Sequence, residues 1–499
     1  MLPSLLYKDC THKKTISSPV AGNMKDLLKD LGLEVVLDAM AGDENDQTIW
    51  EAASRVLFKK PFIDEENIHY RQEIVRDAIK HGDVFLSLYT SLKTGLLAYE
   101  DARTKSQPGY SRFVSYPGRI KSASELMDLL FTLATKLGNI FKQIDGSAAA
   151  SGLKNYVQAF GSFYSQQFIR SALSECKNIK RLTKDSCVNF GVRIGQGFKG
   201  TGYVLRSVNQ GKKIKPKRGY LMLDTISAQL KAEELRDAAL AKILRIANEV
   251  ISQTAADFKA LLFEWSFYQG CINLHKRAMA LHLPFCFPTV CDETADELNF
   301  TELADISLAL RHNISPVTNN LCMDGIRQTI VTGANQGGKT TFLRSIGCAQ
   351  LMAQCGMFCA ANMYKFSIRP RIFTHFCKPE DVSLDSGKLD EELARISRIV
   401  DSVATGSLLL MNESFSSTTE REGAAVAREI IGAFDDIGVK IIFITHLYEY
   451  AHTLGNKGRD DVLLLRAQRR EDGSRPFIIQ VGLTIPTSHG MDLFNELMA

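Results

Sequence analysis

QTIVTGANQGGKTTFLRSIG, residues 328–347, reads as a short apolar strand, a glycine-rich turn and the start of a helix. The turn fits G-x-x-x-x-G-K-[ST] over residues 333–340. Gly333, Gly337 and Gly338 let the backbone wrap a phosphate chain with its N–H groups inward, at the positive end of the following helix. Lys339 supplies a mobile cation for the β- and γ-phosphates, and the Thr340 hydroxyl is of the kind that ligates Mg²⁺. The segment predicts a nucleotide site, with Gly333, Ala334, Asn335, Gln336, Gly337, Gly338, Lys339, Thr340 and Thr341 holding ATP and Mg²⁺ as cofactor.

Downstream, apolar runs alternate with helical patterns. SLLLM (407–411) and VKIIFIT (439–445) are continuous apolar runs of the buried parallel-strand type, and EREGAAVAREIIGAFDDIG (420–438) joins them as a βαβ crossover. VLLLRAQRREDGSRPFIIQVGL (462–483) reads as a closing hairpin turned at Asp472-Gly473. Ligands of open α/β sheets bind outside the carboxyl ends of the strands, where this pattern brings the glycine-rich loop, Asn412, Glu413 and His446 together. Glu413 is placed to orient or deprotonate the water that attacks a γ-phosphate. His446 reads either as a sensor of that phosphate or as a structural histidine. Asn412 stands where an aspartate usually holds Mg²⁺; its amide keeps an acceptor oxygen and drops the charge.

Upstream, composition sets the frame. The 499 residues, 45% hydrophobic and 23% charged, suit a soluble multidomain protein with ample core. The 11 cysteines form no CxxC pair, the N-terminus lacks a secretory pattern, and no apolar run approaches 18 residues. A reducing cytoplasm and no membrane span are expected. Residues 25–105 carry helical spacing, as in IHYRQEIVRDAIKHGDVF, where Ile68, Ile74, Val75, Ala78 and Ile79 share a face. Residues 119–182 continue it with a Leu126, Leu129, Leu130, Leu133, Leu137 stripe, and Gly138, Gly146 and Gly152 are expected to interrupt it.

From 186 to 223 the chain has seven glycines, aromatic and β-branched residues and little helical period, which predicts a small β-rich insertion. It carries Arg193, Lys199, Arg206, Lys212, Lys213, Lys215, Lys217 and Arg218 and no acidic residue. Eight cations here, in a chain of net charge +4, leave the other residues net negative. A charge run alone favours a solvated loop; the absence of acidic residues and the interleaved Phe198, Tyr203 and Tyr220 bring a polyanion-binding patch level with it. Residues 226–281 contain no proline and only Gly270. They form either one helix about 80 Å long at about 1.5 Å per residue, a strut for the basic insertion, or shorter helices broken near Gly270. Pro284, Pro288 and the acidic 291–303 segment then mark a boundary, and Pro316 leads into the first strand.

These residues carry a family resemblance. TGANQGGKTTFLRSIG resembles the P-loop of the MutS mismatch-repair ATPases (TGPNMGGKST), and LLLMNESFSSTT resembles their LVLMDE-x-GRGTST. FITHLYEY is similar to F-x-TH-x-x-E, RIFTH with Asp381 to RIFTR-x-G-x-x-D, and PTSHGMDL to the segment that closes their ATPase domain. Tyr70-Arg71-Gln72 resembles the I-x-x-R-Q start of their helical core, and residues 261–288 the return from their lever. The likeness is strong over 316–499 and loose before.

The resemblance implies a multidomain α + α/β fold: a helical core, long lever helices with a small β-rich clamp, and a P-loop ATPase domain of ABC type. The boundaries would be 1–118 and 119–185 for the first core part and outgoing lever, 186–225 for the clamp, 226–315 for the returning lever and 316–499 for the ATPase. Carried over, Glu413 would be the hydrolytic carboxylate, His446 a switch, and Thr340 with Asn412 the metal ligands. Ser386, Gly387 and Lys388 would complete the site of a dimer partner. The chain begins almost at the helices and shows no F-x-E wedge, so direct mismatch recognition is not implied. What is expected is a homodimeric clamp whose ATP binding and slow hydrolysis control its grip on mismatched, branched or recombining DNA. A clamp on ribosomes or structured RNA, and a nucleotide switch with little turnover, stand as alternatives. A chromosome-maintenance ATPase with a coiled coil between its nucleotide motifs does not fit, because Gly333 and Glu413 are only 80 residues apart.

Overall fold

The computed structural model describes residues 2–8, 22–59, 64–106, 116–144, 150–182, 186–194, 200–210, 226–291, 296–378, 387–470 and 474–484. The chain is a multidomain α/β protein, mostly helical with mixed sheets. It forms two compact units, one from residues 1–3, 83–148 and 153–265 and the other from 4–82, 149–152 and 266–499.

The second unit starts with α1 (Met24–Asp30), α2 (Leu33–Ala41), α3 (Gln47–Lys59) and α4 (Glu65–Lys80). α4 begins where the Asp64 side chain accepts the Asn67 N–H at 2.8 Å, and its buried face holds Ile68, Arg71, Gln72, Ile74, Val75 and Ala78. The first unit takes up α5 (Gly82–Ser106), α6 (Tyr116–Ile144), α7 (Ser151–Phe163) and α8 (Gln166–Leu182). Its core is aromatic: Phe85 stacks on Trp265 with ring centroids 4.3 Å apart, Phe141 meets Trp265 and Phe160, and Trp265 Nε1 donates to Phe85 O at 2.9 Å.

Two glycines expected to break this region do not. Gly138 lies inside α6, because its neighbours Leu137, Ile140 and Phe141 are buried and their packing outweighs the roughly 1 kcal/mol that a helical glycine costs. Gly152 sits in the first turn of α7, where a Cβ would fall 2.2 Å from the Tyr70 ring, so the glycine admits a close approach. Gly146 lies outside the described residues. Leu126, Leu130, Leu133 and Leu137 are buried as a stripe, while Leu129 at its margin is exposed.

The expected β-rich insertion contains an antiparallel pair, β1 (Ser186–Ile194) and β2 (Gly200–Gln210), with register running from Ser186↔Gln210 to Ile194↔Gly200 across two irregularities. Arg193 is exposed on β1, and Arg206 lies on β2. Lys199, Lys212, Lys213, Lys215, Lys217 and Arg218 lie outside the described residues. α9 (Ile226–Ala280) is one helix of 55 residues, so the break near Gly270 does not occur. A Cβ at 270 would stand 3.0 Å from both Ile49 Cγ2 and Met40 Cε, so this glycine lets α9 press onto α2 and α3.

The rest of the second unit runs β3 (Thr289–Cys291), β4 (Leu298–Leu303), α10 (Ile306–His312), β5 (Asn319–Cys322), β6 (Gln328–Thr332), α11 (Lys339–Gln354), β7 (Met363–Ser367), β8 (Ile372–Phe376) and α12 (Lys388–Val400). It continues with β9 (Leu408–Asn412), α13 (Glu420–Asp436), β10 (Lys440–Ile444), α14 (Tyr448–Gly455), β11 (Val462–Ala467) and β12 (Ile479–Val481). The main sheet is ordered β12-β11-β6-β10-β9-β8, parallel except for β12, and β6, β8 and β10 are buried at every position, as continuous apolar runs require. Leu409 and Met411 share a core with α12, α13 and α14, while Leu410 touches α11, which therefore covers the opposite face. The expected hairpin is the β11/β12 pair; its Asp472-Gly473 turn lies outside the described residues. A smaller sheet, β3-β7-β4-β5, joins the main one through buried Lys440, whose Nζ donates to Asp296 Oδ2 (3.2 Å), Met323 O (3.1 Å) and Ile326 O. Among the described residues no helix is long and apolar enough to cross a membrane.

Candidate functional site

β6 delivers the chain to the glycine-rich loop. Gly333 has φ 117°, and a Cβ there would lie 3.0 Å from Ala467 N; Gly338, the N-cap of α11, has φ 85° and abuts the Phe477 backbone. Both positions need glycine for conformation and for space. Lys339 opens α11 and folds back, its Nζ donating to Gly333 O (2.7 Å) and Ala334 O (3.0 Å). Burial lowers its pKa to about 8, opposed by the nearby Glu413 charge. Gln336 accepts from Arg475 Nη1 at 3.0 Å, which ties the loop to the stretch before β12.

Two further strands end beside this loop. β9 ends at Asn412, whose Oδ1 accepts from Thr340 Oγ1 at 3.2 Å. Glu413 follows with φ 53°, anchored by its N–H to Ile444 O at 2.8 Å. Its Oε1 lies 3.2 Å from Nε2 of His446, the second residue beyond β10. The hydrogen bond from His446 is the largest influence holding the Glu413 carboxyl below its ordinary pKa, aided by the charges of His446 and Lys339 against partial burial.

A cavity of about 460 Å³ opens over this edge, lined by residues 335–341 and Glu413. Its other wall is apolar, formed by Leu308, Ile314, Pro316, Val317 and Phe477. Residue types alone did not reveal that wall, because its members lie in separate stretches that read as ordinary apolar sequence. The exposure of Ile314, Val317 and Phe477, each near half, is the feature that sets them apart from core. Gly387 and Lys388 sit at the N-cap and first position of α12 and do not line the cavity; Ser386 lies outside the described residues.

Residues 329–492 match the family model for MutS domain V, and residues 63–281 match the MutS2 N-terminal domain. This chain belongs to the MutS family. The MutS-family likeness extends to individual proteins. It is 28% identical over 192 residues to the DNA mismatch repair protein MutS of Acetivibrio thermocellus, covering 35% of this chain and 22% of that protein. It is 31% identical over 138 residues to MutS protein homolog 4 of Mus musculus, covering 28% and 14%. It is 32% identical over 137 residues to the MutS of Thermosipho melanesiensis, covering 27% and 16%. The matched stretches thus span less than a quarter of each of these relatives.

Proposed function

We propose that this MutS-family chain binds and hydrolyses ATP at the 333–341 loop, and that the bound nucleotide controls the grip of a homodimeric clamp on DNA. What supports the reading most is that Lys339, Thr340, Asn412, Glu413 and His446, from the ends of the adjacent strands β6, β10 and β9, meet at one cavity edge. Lys339 would leave the Gly333 and Ala334 carbonyls for the β- and γ-phosphates. Glu413, an anion at neutral pH, would take the proton of the attacking water, with His446 fixing its orientation.

The residues present fit Mg²⁺: Thr340 and Asn412 offer two neighbouring oxygens beside the cavity that Gly337 and Gly338 line. When bound, the ion would offset the phosphate charge. A neutral amide at 412 serves it less well than a carboxylate, so slow hydrolysis belongs to the proposal, and Asn412 favours as second reading a switch with little turnover. DNA as partner is supported by the names of the mismatch-repair relatives and by the basic 186–223 segment, which suits phosphate-directed contact.

Equilibrium ATP binding and single-turnover hydrolysis test the site. Lys339→Ala is expected to abolish binding, and Glu413→Ala to keep binding while slowing hydrolysis by about 100-fold or more. Tight binding by Lys339→Ala, or native turnover by Glu413→Ala, would remove those roles.

A further inference from the structure

Behind Glu413 a buried polar cluster joins the end of β9 to α12. Glu413 and Phe415 both hold left-handed backbone, φ 53° and 65°. Non-glycine residues persist in this conformation only where their surroundings hold them. Two supports are present. Glu392, third in a line of acidic residues on α12 and 3% exposed, accepts the Phe415 N–H at its Oε2, 2.7 Å away. His375 on β8, fully buried, places Nδ1 2.6 Å from Ser414 Oγ and Nε2 3.2 Å from the Glu392 backbone carbonyl.

The protons on this cluster follow from the partners. A carbonyl only accepts, so Nε2 carries the hydrogen; the Ser414 hydroxyl then has two acceptors within reach, Nδ1 and the His375 carbonyl oxygen 2.9 Å away. Burial, with the Arg395 charge adding to it, pushes His375 down to about 3, which keeps the ring neutral across physiological pH. Arg395, one turn along α12 from Glu392, donates Nη1 to Phe376 O at 2.7 Å and fastens the helix to the end of β8. Glu392 therefore meets the Glu413 turn twice. Its carboxylate reaches Phe415, and its carbonyl reaches Ser414 through His375. The sequence offers no sign of this, because Glu392 looks like one more solvated charge beside Asp390 and Glu391.

We infer that Glu392 is a positioning residue for ATP hydrolysis, its carboxylate holding the 413–415 turn so that Glu413 faces the γ-phosphate. This rests on the ATPase reading above. Glu392 does not line the cavity; it acts through the backbone of Phe415. What matters is the reach of its acceptor oxygen, not its charge. Two conservative variants separate those properties. Glu392→Gln keeps the length and an acceptor oxygen, whereas Glu392→Asp keeps the charge and draws it back by one methylene.

The test is single-turnover hydrolysis beside ATP affinity, on the full-length protein. Glu392→Asp is expected to slow hydrolysis about 10- to 100-fold, as misplacement of a catalytic group by about 1 Å does. ATP affinity should stay within about threefold of native, and Glu392→Gln should hydrolyse within about threefold of native. Native turnover in Glu392→Asp overturns the inference, as does a parallel fall of affinity and turnover in both variants, which would mark general damage. Glu413→Gln measured beside them keeps the two readings apart. Lost turnover in Glu413→Gln with native turnover in Glu392→Asp defeats the positioning role alone. No turnover in the native chain defeats both.

Discussion

Lys339 faces the carbonyls of its own loop, and the same burial that makes it effective on a phosphate weakens its hold on a proton, with a pKa of about 8. Below pH 8 the amine is charged and ATP meets a cation; above it the free protein must first take up a proton, because phosphates favour the charged form. ATP Kd is therefore expected to be flat from pH 6.5 to 7.5 and to weaken by up to about tenfold per unit above pH 8. A titration of Kd against pH checks this, and a flat profile to pH 9.5 would show that Lys339 does not bear on the phosphates. At the next position across the site, Asn412→Asp restores a charge beside the Thr340 hydroxyl. Turnover at saturating Mg²⁺ should rise about tenfold, a gain of roughly 1.4 kcal/mol in transition-state stabilisation; unchanged turnover would mean that Asn412 is not what slows the site. Loop residues such as Lys339 were legible because the motif packs its chemistry into eight neighbouring positions. Glu413 and His446 were legible because they follow buried runs. Phe477 and Glu392 were not, since each acts only across elements that the sequence does not pair.

Among the elements, glycine misled most. Helical pattern identified α4, α6 and α9, but Gly138 and Gly152 read as breaks and Gly270 left one helix and several both open, when all three sit within helices, Gly152 and Gly270 at points of close approach. A glycine that ends a helix and one that lets two helices touch look the same in one dimension. Gly356, just past α11, does both: φ is 68°, and a Cβ would stand 2.8 Å from Arg71 Cβ and 3.1 Å from Ile68 O. Arg71 is itself fully buried and donates to Cys355 O (2.8 Å) and Leu6 O (3.2 Å), which fixes α4 against the end of α11. Gly356→Ala should therefore destabilise the second unit by about 1–3 kcal/mol, from strain and overpacking together. Chemical denaturation reads this as a lower midpoint; an unchanged midpoint would show that α4 yields at no cost.

At the scale of the molecule, the parallel sheet was foreseen from apolar runs and the β1/β2 pair from a shift in composition, both local signals. The smaller β3-β7-β4-β5 sheet was not, because its short strands pair across some 70 residues. The basic segment gives the chain a concentrated charge that its net +4 conceals. If that segment meets a nucleic-acid backbone, neutralising Lys212, Lys213, Lys215 and Lys217 should weaken binding and reduce the slope of log K against log salt by up to about 0.9 for each phosphate no longer neutralised. An unaltered slope would return the segment to a solvated loop. Phosphate-directed binding alone does not separate DNA from RNA, so the partner must be resolved by comparison. The most direct measurement is affinity for homoduplex, mismatched and branched DNA and for structured RNA, at one stated salt, with and without ATP, in the native protein and in Lys339→Ala. An ATP-controlled DNA clamp predicts a change of about fivefold or more in affinity for one of the DNAs on adding ATP, absent in Lys339→Ala. An affinity for DNA indifferent to ATP, or an effect that survives in Lys339→Ala, would contradict it.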